Sequence, residues 1–498
     1  MFRLSRIPET WDGTRLTSDD FVVVVNGQPC QVRNCRVSAM NFNRVWEGVQ
    51  RPLEQTELAS YVSLECDGET EFRVRPSRQF SHAVIRPLSR TIATTQNDGW
   101  LSFTLPGPGF YVLELDDNHR ALHIFCNAYD DFPEKETATY CFGPGIHETG
   151  ILELKDGESV YIDRDAILFG ALRGSEVQNV RIFGHGVIDS RKLERLTRDT
   201  DWIGHLTNGN IRFIKSQNVQ ISGVILMDSP IWSASFFDCQ NVSVKNVKIV
   251  GQWRYNSDGI DICNCQDCKV EDSFIRAFDD VAVVKGMQEY YQRPIRNISF
   301  ERCVLWCDWG RTCEVGIETW APEIKGIRYA DCDLIHNSDT ALDIQAGGTG
   351  FVQDVVFENI RVEFQPYNTN EVYQTLDETK FTPRHGGLGL IRVQNHKYIV
   401  FSQPYGRVDG IVFRNVKVYL EEGAPRPKAF IKAFGPSDRP FGRMPWGELD
   451  KGKPEPFGSI LLENVSINDE TIHDISELPG YRNEPALANL RVTETGGR

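Results

Sequence analysis

Eight segments of this chain share one ten-residue pattern, and the pattern restricts the fold more than any other feature of the 498 residues. The second, fourth and ninth positions are apolar, and the sixth is usually polar and often Asn. Apolar residues at alternate positions predict a short strand with one buried face, and the polar corner predicts a turn into a second strand. The segments are 218–227, 241–250, 267–276, 297–306, 326–335, 354–363, 410–419 and 459–468.

The spacing of these segments is that of a solenoid. Their starting residues are 23, 26, 30, 29 and 28 positions apart from 218 to 354, and about twice that afterwards. One strand–corner–strand unit per 20–30 residues, rich in β-branched residues and poor in helix, predicts a parallel β-helix. The two long intervals predict loop insertions at 365–407 and 421–457, rich in Pro, Gly and charge.

The first part of the chain has a different texture. Alternating apolar and polar residues form short runs separated by Gly, Pro, Asn and Asp, which predicts an antiparallel β-sandwich. We therefore expect a sandwich over 1–135 and the β-helix over 136–498. One short helix is predicted at 190–203.

Composition and charge disfavour several classes of protein. The net charge is −15, and no Lys/Arg cluster indicates a nucleic-acid or anionic membrane surface. No apolar run reaches the length of a membrane span, and the first residues lack the apolar core of a secretory signal. The expected location is cytoplasmic, with reduced cysteines. No cofactor or metal is predicted, because Cys263, Cys265 and Cys268 lack the spacing and the second cluster of a zinc site.

Three aspartates carry the candidate chemistry. Asp258 precedes Asp279 and Asp280 by 21 and 22 residues, about one short coil of the solenoid. Residues one coil apart lie above one another at about 4.8 Å, so these carboxylates are predicted to meet at one corner. Such a cluster suits glycoside cleavage, in which one carboxylic acid protonates the leaving oxygen and another carboxylate activates water. The alternative is that they are ordinary turn residues on a solvated loop.

Aromatic residues flank the aspartates in the sequence. Trp253, Tyr255 and Trp309 lie near them and are candidate platforms for a sugar ring. They strengthen the carbohydrate interpretation of the three carboxylates.

Four motifs resemble one family of enzymes. They are GHGVIDS (184–190), the run 211–232 ending in SPIW, NSDGIDI (256–262) and FDDVAVVKG (278–286). Their order and spacing resemble the polygalacturonase-like glycoside hydrolases of family 28, and the dextranase and isopullulanase group of family 49 in the same clan. The resemblance is close over about 180–350, and a sandwich ahead of the helix is similar to family 49.

The resemblance implies a right-handed parallel β-helix and an inverting hydrolase. Asp279 would be the general acid, and Asp258 and Asp280 would position and activate water. Asn256 and Lys285 lie in the matched motifs and would be near the site. Lys285 has the alternative role of a structural partner for the aspartates.

Two departures from the family pattern bear on the substrate. Gly310, Arg311 and Thr312 stand where family 28 has Gly-His-Gly, and Asp343, Ile344 and Gln345 stand where it has the Arg-Ile-Lys that grips a uronate. Loss of two cations removes the charge complement for galacturonate. Asp343 and Gln345 would suit hydroxyls, which predicts a neutral or unusual glycan. Arg311 or Arg328 could still bind a carboxylate.

The alternatives are a galacturonan hydrolase, a β-helix polysaccharide lyase and a non-catalytic glycan-binding solenoid. A lyase needs a Lys or Arg base and commonly calcium. If the protein is cytoplasmic, it would act from chain ends on imported oligosaccharides, with the 365–407 and 421–457 loops or the sandwich closing one end of the cleft.

Overall fold

The computed structural model describes residues 1–39, 42–43, 53–195, 209–367, 372–374, 381–383, 388–398, 403–434 and 454–494. The predicted β-helix is confirmed: the described strands from Tyr140 onward, apart from Val372–Gln374 and Phe381–Pro383, form one continuous sheet whose coils pair in parallel. Each regular coil contributes a strand to three stacks, which we call the first, second and third stacks.

The first stack holds the first half of the ten-residue pattern, with its second and fourth positions. Its strands pair in parallel from one coil to the next. They are Tyr140–Phe142, Ser159–Ile162, Gln178–Gly184, Gln217–Ser222, Gln240–Lys245, Gln266–Glu271, Ile295–Glu301, Glu323–Ala330, Phe351–Phe364, Arg407–Leu420, Ile460–Ile467 and Leu490–Thr493.

The second and third stacks complete the coil. The long strands Gly145–Glu153 and Ala166–Ser175 contribute to both. The second stack continues with Val187–Asp189, Ile225–Met227, Lys248–Ile249, Phe274–Ala277, Val304–Cys307 and Asp333–His336. The third continues with Ile211–Ile214, Ala234–Phe237, Ile260–Cys263, Ala282–Gly286, Arg311–Thr319, Thr340–Ala346, Gly389–Asn395 and Lys428–Ala433.

The pattern residues fill the interior of the solenoid. The second-, fourth- and ninth-position side chains are buried in every segment. At the fourth position, rings stack along the axis with centroids 5.0–5.1 Å apart. Those rings are Phe300, Tyr329, Phe357 and Phe413.

Asn at the sixth position forms the corner between the first two stacks. Asn359, Asn415 and Asn464 have φ of 52–54°, a left-handed conformation that Asn tolerates better than most residues. Each amide donates to the side chain one coil below, at 2.9 Å for Asn415 to Asn359 and for Asn464 to Asn415. The polar corner is thus a ladder that repeats with the coil.

Two sheets precede the solenoid, as predicted. One has six strands: Phe2–Leu4, Arg33–Ser38, Thr56–Cys66, Ala83–Arg86, Gly109–Leu115 and Asp117–Ala128. The other has five: Phe21–Val25, Gln28–Cys30, Thr70–Pro76, Thr95–Asn97 and Trp100–Leu105. One pair departs from the predicted antiparallel arrangement, because 60–66 and 122–128 run parallel. The chain between these two strands also forms strands of the five-stranded sheet. A connection of that length can return in either direction.

The six-stranded sheet is covered on both faces. One face packs on the five-stranded sheet through residues such as Leu64 and Ile124. The other packs on the outer side of the second stack, where Phe125 and Phe274 rings lie 5.2 Å apart. The sandwich therefore covers the second stack and borders the corner that leads to the third.

Short elements complete the described chain. They are strands Thr10–Trp11, Thr14–Arg15, Phe42–Asn43, Val372–Gln374, Phe381–Pro383 and Glu470–Thr471, the 3-10 turns Leu53–Gln55, Leu88–Arg90, Pro133–Thr137, Gln288–Tyr290 and Ile475–Glu477, and helix Glu484–Leu487. Within the part of the chain that is described, no helix is long and apolar enough to cross a membrane.

The structure differs in part from the predicted organisation. Residues 190–195 of the predicted helix are turn and coil, and 196–203 lie outside the described residues. The predicted loops 365–407 and 421–457 each contain a regular third-stack strand, so neither is a loop throughout. The boundary at 135/136 stays a prediction.

Candidate active site

The corner between the second and third stacks brings the predicted aspartates together. Ile260 pairs with Ala282 across one coil, and Asp258 and Asp280 each lie two residues earlier. The Gly259 amide donates to the Asp280 carbonyl at 2.8 Å, which continues this register to the corner. All three aspartate side chains are almost fully buried.

Lys285 lies at the centre of the carboxylates. Its Nζ is 2.9 Å from Asp258 Oδ2, 2.8 Å from Asp261 Oδ1 and 4.0 Å from Asp280 Oδ2. The ammonium also lies 4.0 Å from the centroid of the Trp232 ring. Lys285 is therefore the counter-ion of the aspartates, the structural role that the sequence left open.

Asp279 is held by amide donors. Asn256 Nδ2 donates to Asp279 Oδ2 at 3.1 Å, and the Asp280 amide donates to Asp279 Oδ1 at 3.0 Å. Asn256 is itself held by Arg195, which donates to its Oδ1 at 2.8 Å. A Cβ at Gly310 would lie 2.6 Å from Asp279 Oδ1 and 2.5 Å from Asp280 Oδ1. Only glycine leaves room for both carboxylates there.

Asp280 faces the strand of the next coil. The Arg311 amide donates to its Oδ1 at 2.9 Å, and the Arg311 guanidinium lies 3.3 Å from the same oxygen. Glu314, three residues further along the same strand, is fully buried and accepts from Gln345 Nε2 at 3.1 Å. Arg311, predicted as a substrate ligand, is therefore engaged by a carboxylate of the cluster.

The positions of the missing Arg-Ile-Lys are occupied by an ion-pair network. Arg392, one coil further on, binds Asp343 through two nitrogens at 2.8 and 2.5 Å and lies 3.0 Å from Asp339. Gln345 Nε2 donates to Asp343 at 3.0 Å and to Glu314 at 3.1 Å. Asp343 and Gln345 are both buried. The predicted hydroxyl-binding pair is thus hydrogen-bonded within the protein.

Burial and neighbouring charge divide the carboxyl groups by pKa. Burial raises the pKa of Asp258 well above its usual range, and it raises that of Asp261 to about 6. Burial would raise the pKa of Asp280 too, but Arg311 and Lys285 outweigh it and lower the pKa. Although burial lowers the pKa of Lys285, the surrounding carboxylates raise it well above its usual value. The corner therefore combines carboxyl groups whose pKa is raised with one, Asp280, whose pKa is lowered.

Two of the three predicted aromatic platforms lie together. Tyr255 and Trp309 have centroids 5.7 Å apart, and Trp309 stacks on Phe278 at 5.5 Å. Tyr255 is partly exposed, whereas Trp309 is buried. Trp253 instead donates from its indole to Asp228 at 2.9 Å and is buried. Tyr255 is the aromatic residue that the structure leaves accessible beside Asn256.

Several charged residues of the corner were missed from sequence. They are Asp261, Glu314, Glu318, Asp339 and Arg392, all buried. Aligning the third-stack strands coil by coil would have found one column, because Glu314, Asp343 and Arg392 pair in register. The ten-residue pattern does not reveal that column, because a corner of variable length lies between the pattern and the strand of the third stack.

Comparison with known proteins gives a family match over this region. Residues 153–380 match the model of glycosyl hydrolases family 28, which includes all three aspartates. A probable polygalacturonase of Vitis vinifera is 29% identical over 29% of this chain and 30% of its own. Rhamnogalacturonase B of Aspergillus niger is 27% identical over 47% of this chain and 39% of its own. The chain spans well under half the length of these relatives. The resemblance inferred from the motifs is confirmed.

One solved structure extends the likeness to both domains. Dex49A from Penicillium minioluteum has a TM-score of 0.63 and covers 98% of this chain and 96% of its own, at 12% identity. At that identity the likeness concerns the fold. It supports the combination of an N-terminal sandwich with a right-handed parallel β-helix.

Proposed function

Because residues 153–380 make the chain a polygalacturonase-like protein of glycosyl hydrolases family 28, we propose that it hydrolyses an α-linked oligosaccharide or polysaccharide with inversion. Asp279 acts as the general acid, and Asp258 and Asp280 position and activate the water. The observation that carries this proposal is the convergence of three buried carboxylates on one corner inside the matched region, with Lys285 beside two of them, Asp258 and Asp280.

The environment of Asp280 supports its proposed role in activating water. A base that activates water must be ionised, and Arg311 and Lys285 favour the anion of Asp280. Asp279 lies beside it, with Asn256 in hydrogen-bond contact and the partly exposed Tyr255 next in the chain. The partly exposed ring of Tyr255 offers a face on which a sugar can stack.

A neutral or unusual glycan is the favoured substrate class. Lys285 lies near three carboxylates, Arg311 near Asp280 and Asp339, and Arg392 near Asp339 and Asp343. Cations already neutralised in this way offer little to a uronate. We extend the proposal to exo-action, in keeping with the predicted cytoplasmic location.

A galacturonate-containing chain is the second candidate. It is favoured by the names of the relatives, which include a polygalacturonase and a rhamnogalacturonase. Its carboxylate would have to displace Asp343 or Asp339 from Arg392, which is the physical objection to it.

Product release from a panel of oligosaccharides tests these points together. The panel contains neutral α-glucans, α-galactosides and oligogalacturonates, assayed with wild type, Asp279→Asn and the exposed control Asp354→Asn. Release from a neutral substrate that vanishes only in Asp279→Asn supports the proposal, and release from galacturonate alone selects the second candidate. Full activity in Asp279→Asn refutes the acid assignment. Activity that depends on added calcium and leaves an unsaturated product would indicate a lyase.

Two further readouts test the finer claims. The anomeric configuration of the first product, followed by proton NMR, distinguishes inversion from retention. On a long polymer, exo-action releases short products while viscosity persists, and a rapid fall in viscosity would refute it.

A further inference from the structure

Strand Arg311–Thr319 bulges where it passes over Lys285. The residues before and after Lys285 each pair with this strand, but three residues, 316–318, lie between their partners. Bulges beside an active site commonly redirect a side chain. Glu318 is the last of the three and precedes the residue that pairs with Gly286, so it lies one coil above Lys285.

The Glu318 carboxylate has no partner within the described part of the chain. No other residue there donates a hydrogen bond to it, and no cation lies within 4.0 Å of it. Lys285 makes its short contacts with Asp258 and Asp261 instead. Glu318 is 8% exposed, whereas Asp261 and Glu314 are fully enclosed. Because an enclosed carboxylate without donors is costly, its oxygens are available to a molecule bound over this face of the third stack.

Two aromatic residues lie near Glu318. Trp320 follows it by two residues, and the ring centroid of Tyr398 lies 6.4 Å from that of Trp320. The Tyr398 amide donates to the Gly347 carbonyl at 2.8 Å, and Tyr398 is partly exposed. Burial raises the pKa of Tyr398 above its usual value, and the charge of Glu318 raises it further, as expected for a phenol near a carboxylate. A ring that packs against the C–H face of a sugar, beside a carboxylate that accepts from its hydroxyls, is a carbohydrate-binding arrangement.

We propose that Glu318 determines substrate specificity: its carboxylate accepts hydrogen bonds from hydroxyl groups of the sugar bound beside the catalytic aspartates. This role rests on the proposed hydrolase function and deepens its substrate class. A uronate carboxylate at this place would oppose the Glu318 anion. The two cations whose charges act on Glu318, Lys285 and Arg311, already contact other carboxylates. A neutral sugar is therefore preferred over its uronic acid.

Glu318→Gln tests this role because it keeps the size of the side chain and removes its charge. Hydrolysis of α-glucan and α-galactoside trisaccharides and of trigalacturonate is compared in wild type, Glu318→Gln and the control Glu358→Gln, which lies in the first stack and pairs with Arg328. We expect kcat/KM of Glu318→Gln for the neutral substrate to fall about 10- to 100-fold, the loss that follows removal of a charged hydrogen-bond partner. Its kcat/KM for trigalacturonate should not fall, and Glu358→Gln should match wild type on every substrate.

Binding gives a readout that does not need turnover. Calorimetry with the same trisaccharides compares Asp279→Asn with the double variant that also carries Glu318→Gln. The affinity for the neutral trisaccharide should weaken by the same factor of about 10 to 100, and that for trigalacturonate should not weaken. If Glu318→Gln does not fold, Glu318→Asp replaces it. Aspartate keeps the charge but withdraws the oxygens by one methylene, so the neutral sugar should bind more weakly while trigalacturonate stays disfavoured.

Three results would overturn the role of Glu318. They are an unchanged affinity for the neutral trisaccharides, an equal loss for the neutral and the acidic ones, and a failure of Asp279→Asn to bind either neutral trisaccharide. The hydrolase function fails separately. Binding of a neutral trisaccharide that depends on Glu318, in a protein without glycosidase activity, would refute hydrolysis and support the ligand role. Hydrolysis of trigalacturonate alone would support hydrolysis and refute the role of Glu318.

Discussion

Lys285 and Asp258 form an ion pair inside the corner between the second and third stacks. Nζ lies 2.9 Å from Asp258 Oδ2, and both side chains are almost fully buried. The same ammonium lies 2.8 Å from Asp261. A cluster of carboxylates can be buried here because one cation lies among them, and this dependence has consequences for stability and activity.

Replacing Lys285 by Met should destabilise the protein strongly. The substitution keeps the side-chain length but leaves Asp258, Asp261 and Asp280 without their shared cation. Removing one partner of a buried ion pair costs about 3–5 kcal/mol. Denaturant unfolding at neutral pH measures this loss. Lys325→Met is the control, because that lysine is half exposed and pairs with Asp354 at 3.4 Å on the surface, so its loss should cost at most about 1 kcal/mol. Equal effects of the two substitutions would contradict the buried role of Lys285.

Adding one methyl group at Gly310 should abolish most activity. The new Cβ would lie 2.5 Å from Asp280 Oδ1 and 2.6 Å from Asp279 Oδ1, and 2.6 Å from the Asp280 amide nitrogen, so both carboxylates must move. A shift of about 1 Å in a catalytic group costs about 100-fold in rate. We expect kcat of Gly310→Ala to fall by about that factor. Gly143→Ala is the control, because nothing lies within 4 Å of its added Cβ. Wild-type kcat in Gly310→Ala would mean that the acids are not held as described.

The sequence predicted the parts of this molecule that repeat. The interval of about one coil brought Asp258 and Asp280 together correctly, because parallel stacking converts sequence spacing directly into distance. Inward alternation likewise predicted the stacked core, of which Phe300 and Phe413 are members.

The remaining features depend on contacts between distant coils. Arg392 reaches back to Asp343 across 49 residues, so the lost Arg-Ile-Lys motif does not mean that cations are lacking. Glu314 belongs to a stack whose register is set by corners of variable length. The parallel strand pair of the sandwich depends on how the chain passes between the two sheets. No local sequence pattern indicates that path.

Asp261→Asn should change how stability depends on pH. Burial raises the pKa of Asp261 from an ordinary 3.8 to about 6. Because the folded pKa is the higher one, this group stabilises the protein below about pH 4 and loses that contribution as pH rises through about 6. The shift corresponds to about 3 kcal/mol. Unfolding free energies of Asp261→Asn minus wild type should therefore rise by about that amount over this range.

The control for this experiment is Asp354→Asn on the surface, which has the same change of group. Because the Asp354 side chain is more than half exposed, its substitution should change the free energy of unfolding by at most about 1 kcal/mol. A difference for Asp261→Asn that falls with pH would mean that Lys285 lowers the Asp261 pKa more than burial raises it.

Arg86→Met should loosen the sandwich from the solenoid. Arg86 is fully buried in the six-stranded sheet, where it lies 2.7 Å from Glu114 of the same sheet and 2.6 Å from Glu421 of the solenoid, and it also pairs with Glu363. Without the guanidinium, buried carboxylates remain at the interface, at a cost of about 3–5 kcal/mol.

The pH dependence of that loss identifies its cause. Protonation relieves a buried unpaired carboxylate, so the destabilisation by Arg86→Met should be small near pH 4 and grow towards about pH 8. Adding Glu363→Gln should recover part of it, because one uncompensated charge is then removed. Arg90→Met is the control: Arg90 approaches Asp333 across the same interface at 4.0 Å but is half exposed, so it should cost at most about 1 kcal/mol. Denaturant unfolding at both pH values compares wild type, Arg86→Met, Arg86→Met with Glu363→Gln, and Arg90→Met. A loss of stability that does not depend on pH would point to packing of the Arg86 side chain instead of its charge.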